Sequence, residues 1–258
     1  MGQRADFAGI DAGPGRIRHL SLARPFVWLR AGLDDMRRTP IASLAYGLLF
    51  SIAGDVLLLS VWQSPRFFAI AISGFVFFAP LLCAGLYELS RRSERGQESR
   101  FVDSLTAFSR PRGGLLLFAA MALLLWVAWE RFSDMLFSLM MTGQGTLNAV
   151  QFAATVSAPG GNTQLAAAWV GVGGLLTLAA FVFSIVTVPM LVDRNCTFST
   201  AATTSLHAFE KNMLPMLLWA GIIAAVTLIG FATLLFGFVV FMPLLGHASW
   251  HAYRDLVE

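Results

Sequence analysis

Thirty-three consecutive residues, Met213 to Leu245, contain no Asp, Glu, Lys, Arg or His. A run of that kind has one suitable solvent, because about 20 apolar helical residues cross the roughly 30 Å of hydrocarbon in a bilayer. Long, mostly apolar runs also occupy Ile41 to Val61, Phe67 to Leu89, 114–134 and 166–192, the last of them likewise without a charged residue. Only 13% of the 258 residues are charged, about half the share in a soluble domain. Backbone polar groups in lipid must be satisfied internally, so spanning segments are helices or closed barrels. Runs of this length select helices. The expected fold class is all-α, a polytopic membrane helix bundle.

The 33-residue run is long for one crossing and short for two. Gly230 and Gly237 offer a tight reversal between two helices at about 213–230 and 233–254; one long tilted helix is the competitor. Charge favours the reversal. With the N-terminal segment, loops 90–112 and 193–211 and the C-terminal residues on one side, that side holds 16 of the 18 cationic residues; Arg66 and Arg131 face the other. Arg and Lys are retained in the cytoplasm, so both termini are expected there. The expected organisation is a flexible tail over 1–20 and one membrane domain over 21–258. Its six crossings are expected at about 41–61, 67–89, 114–134, 166–192, 213–230 and 233–254.

Three prolines expose an expected repeat. Phe75–Leu82, Ser184–Leu191 and Phe238–Leu245 each place Pro80, Pro189 or Pro243 before two residues of Leu or Met, and Arg91, Arg194 or Arg254 follows. Each unit also opens alike. Leu22, Phe26, Leu29, Leu33 and Met36 make one apolar helical face, and Phe101, Leu105 and Phe108 repeat it, as do Phe198, Ala202, Leu206, Phe209 and Met213. Pro40, Pro111 or Pro215 comes next, suited to the first turn of a new helix. The expected unit is an amphipathic helix on the cytoplasmic face, a proline break, a helix out and a helix back. Three units of this kind give the six crossings.

Between the third and fourth crossings, residues 135–164 carry no Asp, Glu, Lys, Arg or His. Thr146 to Val156 is readable as a short interfacial helix, followed by a turn at 157–162. The stretch is either a linker or a docking surface for another membrane protein.

His247 and His251 lie one helical turn apart, which puts both imidazoles on one face within reach of one metal ion. His207 or Asp193 would have to complete such a site, and a haem would need His207 or His19 on the opposite face. The competing reading is interfacial, with Trp28, Trp250 and Tyr253 as headgroup-level anchors. Asp55 interrupts the first crossing roughly 22 Å beyond Pro40, and Arg131 lies at similar depth on the third. A charge inside a span is expensive unless paired or wet, so Asp55 and Arg131 are an expected intramembrane pair, structural or lining a solute pathway. Cys83 and Cys196 lack a CxxC pattern and are expected as free thiols. Phosphate-binding loops, nucleophile elbows and basic stripes for nucleic acid are missing from the sequence. Gly171–Gly174 falls inside the fourth crossing, where small residues allow close helix contact.

The tail from Pro243 to Leu256 resembles the ending of a bacterial integral-membrane family, domain of unknown function 2189. So do Arg24–Gly32, Ser43–Phe50 and Val188–Arg194. The resemblance implies a location in the bacterial cytoplasmic membrane. Some members carry the label of cytochrome c oxidase component, but the chain lacks the histidine array of an oxidase catalytic subunit. More loosely, the unit of surface helix plus hairpin resembles the membrane domain of some glycerophosphodiester phosphodiesterases. The expected function is that of a non-catalytic accessory to a larger membrane assembly, with the lipid bilayer as its first partner. A small-solute or ion pathway, and metal or haem binding through His247 and His251, are the alternatives.

Overall fold

The computed structural model describes residues 15–61, 65–109, 113–140, 154 and 163–258. The chain opens with α1 (Arg24–Arg38), α2 (Pro40–Val61), α3 (Pro65–Leu82) and α4 (Ala84–Glu94). The short α5 (Phe101–Ser104) and α6 (Thr106–Ser109) lead to α7 (Gly113–Met140). Then come α8 (Thr163–Ser184), α9 (Thr187–Asp193), α10 (Phe198–Lys211), α11 (Met213–Ala232) and α12 (Phe238–Leu256).

Proline sets several of these boundaries. Pro40 and Pro65 open α2 and α3, where a missing N–H costs nothing. Pro80 precedes the break at Cys83 that separates α3 from α4, and Pro189 sits in the first turn of α9, after the break at Ile185 and Val186. Pro243 lies inside α12 without ending it.

Five stretches are long and apolar enough to cross a membrane: Pro40–Ser60, Ile70–Glu94, Gly113–Leu139, Thr163–Asp193 and Met213–Ala232. Along them Ile41, Leu59 and Leu116 are 86%, 77% and 74% exposed. Water would penalise an apolar surface this extensive; a bilayer covers it. The chain is a multi-pass integral membrane protein. Its tight core lies toward the arginine-rich end, where α4, α9 and the second half of α12 bury Leu86, Leu89, Met190, Leu191, Trp250 and Tyr253.

The 213–245 run is two helices packed on one another, so the single tilted helix is ruled out. The reversal spans 233–237, between Gly230 and Gly237 but a few residues later than the expected gap between 230 and 233. Leu234 (φ 49°) and Leu235 (φ 63°) take the left-handed conformation there. Gly230 and Gly237 are needed for space. A Cβ on Gly230 would enter the Phe238 ring, and one on Gly237 would lie 2.6 Å from Thr233 Oγ1.

The surface helices bury, for the most part, a face other than their apolar stripe. On α1 the buried residues are Pro25, Trp28, Gly32, Asp35 and Met36, about a quarter turn from the centre of the Leu22–Phe26–Leu33 stripe. Leu22, Phe26 and Leu33 are 53%, 60% and 37% exposed. Residues 101–109 are two single turns parted at Leu105, with Val102, Leu105 and Phe108 outward and Ser104 and Ala107 buried. The α10 helix buries Ala201, Ala202, Thr204, Ser205 and Ala208.

Residues 15–20 do not behave as a loose tail. Ile17 pairs antiparallel with Val257, Arg18 N–H donates to Leu256 O at 3.0 Å, and Leu20 N–H donates to Asn212 Oδ1 at 2.7 Å. Extended backbone next to an extended chain end satisfies its own polar groups, a pairing with no periodic signal. Residues 1–14 lie outside the described residues. So do 141–153 and 155–162, which hold most of the expected surface helix Thr146 to Val156 and the turn after it; α7 continues through 135–140.

Candidate functional site: a buried polar network around the last helix

The α12 helix carries its polar residues on successive turns, and small residues on its neighbours let them approach. A Cβ on Gly32 of α1 would lie 2.7 Å from Ala248 N. A Cβ on Gly47 of α2 would collide with the Val239 carbonyl. These two glycines bring α1 and α2 against opposite halves of α12.

Between the helices runs a chain of hydrogen bonds. Ser43 Oγ lies 2.9 Å from His247 Nε2, and Ser90 Oγ lies 2.7 Å from His247 Nδ1. Ser90 donates its one hydrogen to Asp35 Oδ2 at 2.7 Å. Its oxygen must therefore accept from His247 Nδ1–H, and His247 Nε2 accepts from Ser43. The order is Ser43 O–H to His247, His247 N–H to Ser90, Ser90 O–H to Asp35. His251 Nε2 lies 2.8 Å from the same Asp35 oxygen. Burial alone would raise the Asp35 carboxyl; hydrogen bonds from His251 and Ser90, with the imidazole charges, outweigh it and hold the group below its ordinary value.

Carboxylates tie the rest of that end together. Glu94 accepts from Trp250 Nε1 at 2.9 Å and pairs with Arg254 at 3.2 Å. Asp193 accepts from Tyr253 O–H at 2.9 Å and faces Arg95, Arg254 and Arg194 at 3.5, 3.6 and 3.8 Å. Asp255 accepts from Trp28 Nε1 at 2.8 Å and from Arg24 Nε at 2.5 Å. Arg91 forks onto Glu88 at 2.8 and 2.6 Å, both buried. The ends of α4, α9 and α12 are thus joined by ion pairs and by aromatic N–H and O–H donors.

Trp28, Trp250 and Tyr253, expected as headgroup anchors, are 1%, 0% and 0% exposed. Each turns its polar tip to a carboxylate of this network instead of to lipid headgroups. His247 and His251 do share a face, but both His247 nitrogens are engaged by hydroxyls and His251 is engaged by Asp35. Among the described residues no three His, Cys, Asp or Glu converge as a metal site. His207 sits on the exposed side of α10, where it lines a surface cleft with Arg16 and Lys211, and His19 is also exposed. Neither meets the wholly buried His247. The order Ser43–His247–Ser90–Asp35 is that of a proton relay, yet Ser43 and His247 are 0% exposed. A hydroxyl so placed is closed to solvent, and the chain of bonds ties α1, α2, α4 and α12 together. Cys83 and Cys196 are not joined in a disulfide. Of the 171–174 glycines, only Gly173 is closely approached among the described residues: a Cβ there would lie 2.8 Å from the Trp129 ring.

The expected Asp55–Arg131 pair is not formed. Arg131 is 76% exposed and its partner is Asp134, 3.9 Å away on the same helix. The ionisable group buried in that region is Glu130, 6% exposed, which accepts from Ser73 Oγ at 2.6 Å while Trp126 Nε1 donates to Ser73 at 3.1 Å. One helix step from 131 to 130 turns the side chain by about 100°, enough to exchange an outward group for an inward one. Arg131→Gln is accordingly expected to shift stability by no more than about 0.5 kcal/mol, read as thermal melting in detergent. A larger loss would restore a structural role to Arg131. Glu130 was legible as an ionisable group at the depth of Asp55, but Ser73, Ser43, Ser90 and Asp35 escaped sequence reasoning because the partner of each lies on another helix.

Residues 67–193 match the model of a family described as predicted integral membrane protein, DUF2189. The resemblance read from the sequence holds over that stretch, which includes Val188–Asp193. Comparisons with curated proteins and with solved structures returned no match. The looser likeness to glycerophosphodiester phosphodiesterase membrane domains gains no support.

Proposed function

We propose that this chain is a non-catalytic subunit or assembly factor of a larger complex in the bacterial cytoplasmic membrane. It would cross six times as three hairpin units, with both termini in the cytosol. The observation that carries the reading is the closed network: His247, His251, Asp35, Glu94, Asp193 and Asp255 are all engaged by neighbours in the chain. The side chains best suited to chemistry thus hold helix ends together, and the surface left for other molecules is largely apolar. Six crossings are supported by the return of α12 to the end where Ile17 pairs with Val257. The two chain ends then lie on one side, with most of the arginines. The family resemblance makes a respiratory complex the first assembly to test.

Purification in mild detergent, native electrophoresis and mass spectrometry of the excised band are expected to show a stoichiometric partner that reciprocally retrieves this chain. A lone monomer under those conditions would overturn the reading. Topology is tested separately with cysteines placed at Arg95, Thr203 and Arg131 in a background lacking Cys196. A membrane-impermeant maleimide added to spheroplasts should label position 131 and spare 95 and 203; the reverse pattern would invert the orientation.

A second reading, a small-solute or ion pathway between the units, draws on Glu130 inside an apolar span, since buried intramembrane carboxylates commonly mark such routes. Proteoliposome flux that responds to Glu130→Gln would favour it, and equal flux in the two would remove it.

A further inference from the structure

The outward stripe of α1 is left bare by the rest of the molecule, and its position limits what covers it. The segment leading into α1 is tied to Asn212, immediately before α11, through Leu20 N–H to Asn212 Oδ1 at 2.7 Å and Asn212 Nδ2 to Arg18 O at 2.8 Å. The far end of α1 runs through Thr39 into Pro40, the first residue of α2. Both ends of α1 are thus held where an apolar span begins. Midway along, Trp28 meets Trp219 of α11 at 5.7 Å between ring centroids. That contact lies about 9 Å into the α11 span at 1.5 Å per residue. A helix fixed at both ends to span openings, and at its centre to the second turn of one span, lies at the level of the bilayer surface.

The side it turns away from the protein has two chemistries. Leu22, Phe26 and Leu33 are 53%, 60% and 37% exposed. Arg30 and Arg37 stand next to them on the helix wheel. Arg30 is exposed and has no ion-pair partner among the described residues. The Arg37 side chain is 69% exposed and touches only Asp34, at 3.3 Å, itself 47% exposed. The apolar surface continues into α2, where Ile41, Leu44 and Leu48 are 86%, 40% and 50% exposed, and into α11, where Met213 and Leu214 are 51% and 65% exposed. An apolar stripe continuous with the lipid-facing flank, edged by the unpaired Arg30 and by Arg37 in an exposed pair with Asp34, matches acyl chains topped by phosphate.

We propose that α1 is a binding surface for anionic phospholipid. Leu22, Phe26 and Leu33 sit at the boundary between acyl chains and headgroups, and Arg30 and Arg37 hold headgroup phosphates. The inference rests on the chain being an integral membrane protein and is independent of the accessory role proposed above.

The full chain is purified and placed in nanodiscs containing equal amounts of phosphatidylglycerol and phosphatidylcholine. The lipids retained on the ejected protein are then weighed by native mass spectrometry. Wild type should retain phosphatidylglycerol in preference, and Arg30→Gln/Arg37→Gln should reduce that preference by about fivefold for each arginine. Arg30→Lys/Arg37→Lys should keep most of it, and Arg131→Gln should keep all of it. Raising the ionic strength on unaltered protein should erode the preference, a readout that does not depend on any variant folding. A photoreactive phenylalanine analogue at Phe26 should cross-link to phospholipid in cells. Equal retention of the two lipids by wild type, an unchanged ratio in the glutamine variant, or cross-links from position 26 to protein alone would each overturn the proposal.

Discussion

Gly47→Val is expected to eliminate the folded protein. A Cβ at position 47 would occupy the place of the Val239 carbonyl group, and Val239 Cα would be 2.8 Å away. These are backbone atoms of a packed helix, so no rotamer change relieves the clash. The α2 and α12 helices would have to separate, and the Ser43–His247 bond would separate with them. Overpacking of this kind costs about 3 kcal/mol or more, and association of helices in lipid depends on close packing because no hydrophobic gain drives it. Fluorescence-detected size exclusion of a tagged variant should show aggregate or loss of the peak. Gly171→Val, at a position with nothing within 4 Å, should elute as wild type. A Gly47→Val peak of normal height and melting temperature would show that the helices do not approach as described.

His247→Leu is expected to be the most damaging change in the polar network. Leucine roughly fills the space, but Ser43 loses its acceptor and Ser90 loses the N–H it accepts. Ser90 keeps its bond to Asp35 and Ser43 keeps Thr39 Oγ1 at 3.1 Å, so the loss is that of two buried hydrogen bonds, together roughly 1–3 kcal/mol. The measured effect should be a fall in melting temperature in detergent, with His247→Gln intermediate, since an amide can both donate and accept. Unchanged melting of the leucine variant would remove the network from any account of stability. Zinc offers a companion test. Both His247 nitrogens are engaged, so added zinc should leave the melting temperature of wild type where it is. A rise would show the imidazole turning to serve as a ligand.

The membrane architecture was legible because it depends on long apolar runs and on arginine placement, properties each segment carries by itself. The proline boundaries were legible for the same reason: Pro40 ends one helix and opens the next through its own covalent geometry. What α1 buries was not legible. Leu22, Phe26 and Leu33 have the period of an amphipathic helix, expected at the membrane face, but periodicity does not say which of the remaining residues meet protein. In a membrane the protein-facing side can be the more polar one, as Gly32 and Asp35 show. His247 and His251 were legible as a pair, but their partners came from Ser43, Ser90 and Asp35 on three different helices. The exchange of Asp55 and Arg131 for Glu130 arose because rise along a helix gives depth, whereas rotation about it decides which neighbour is met.

Trp28, Gly32 and Asp35 find their partners on α12, more than 200 positions later in the chain. During synthesis the first helix must wait beside the bilayer until the last has been made. At about 5–20 residues per second that interval is on the order of ten seconds or more. An apolar stripe able to rest on lipid gives the waiting helix somewhere to stay, and locking of α12 onto it would be a late step in biogenesis. A ribosome stalled before α12 would therefore leave Trp28 without its Asp255 acceptor and Asp35 without His251.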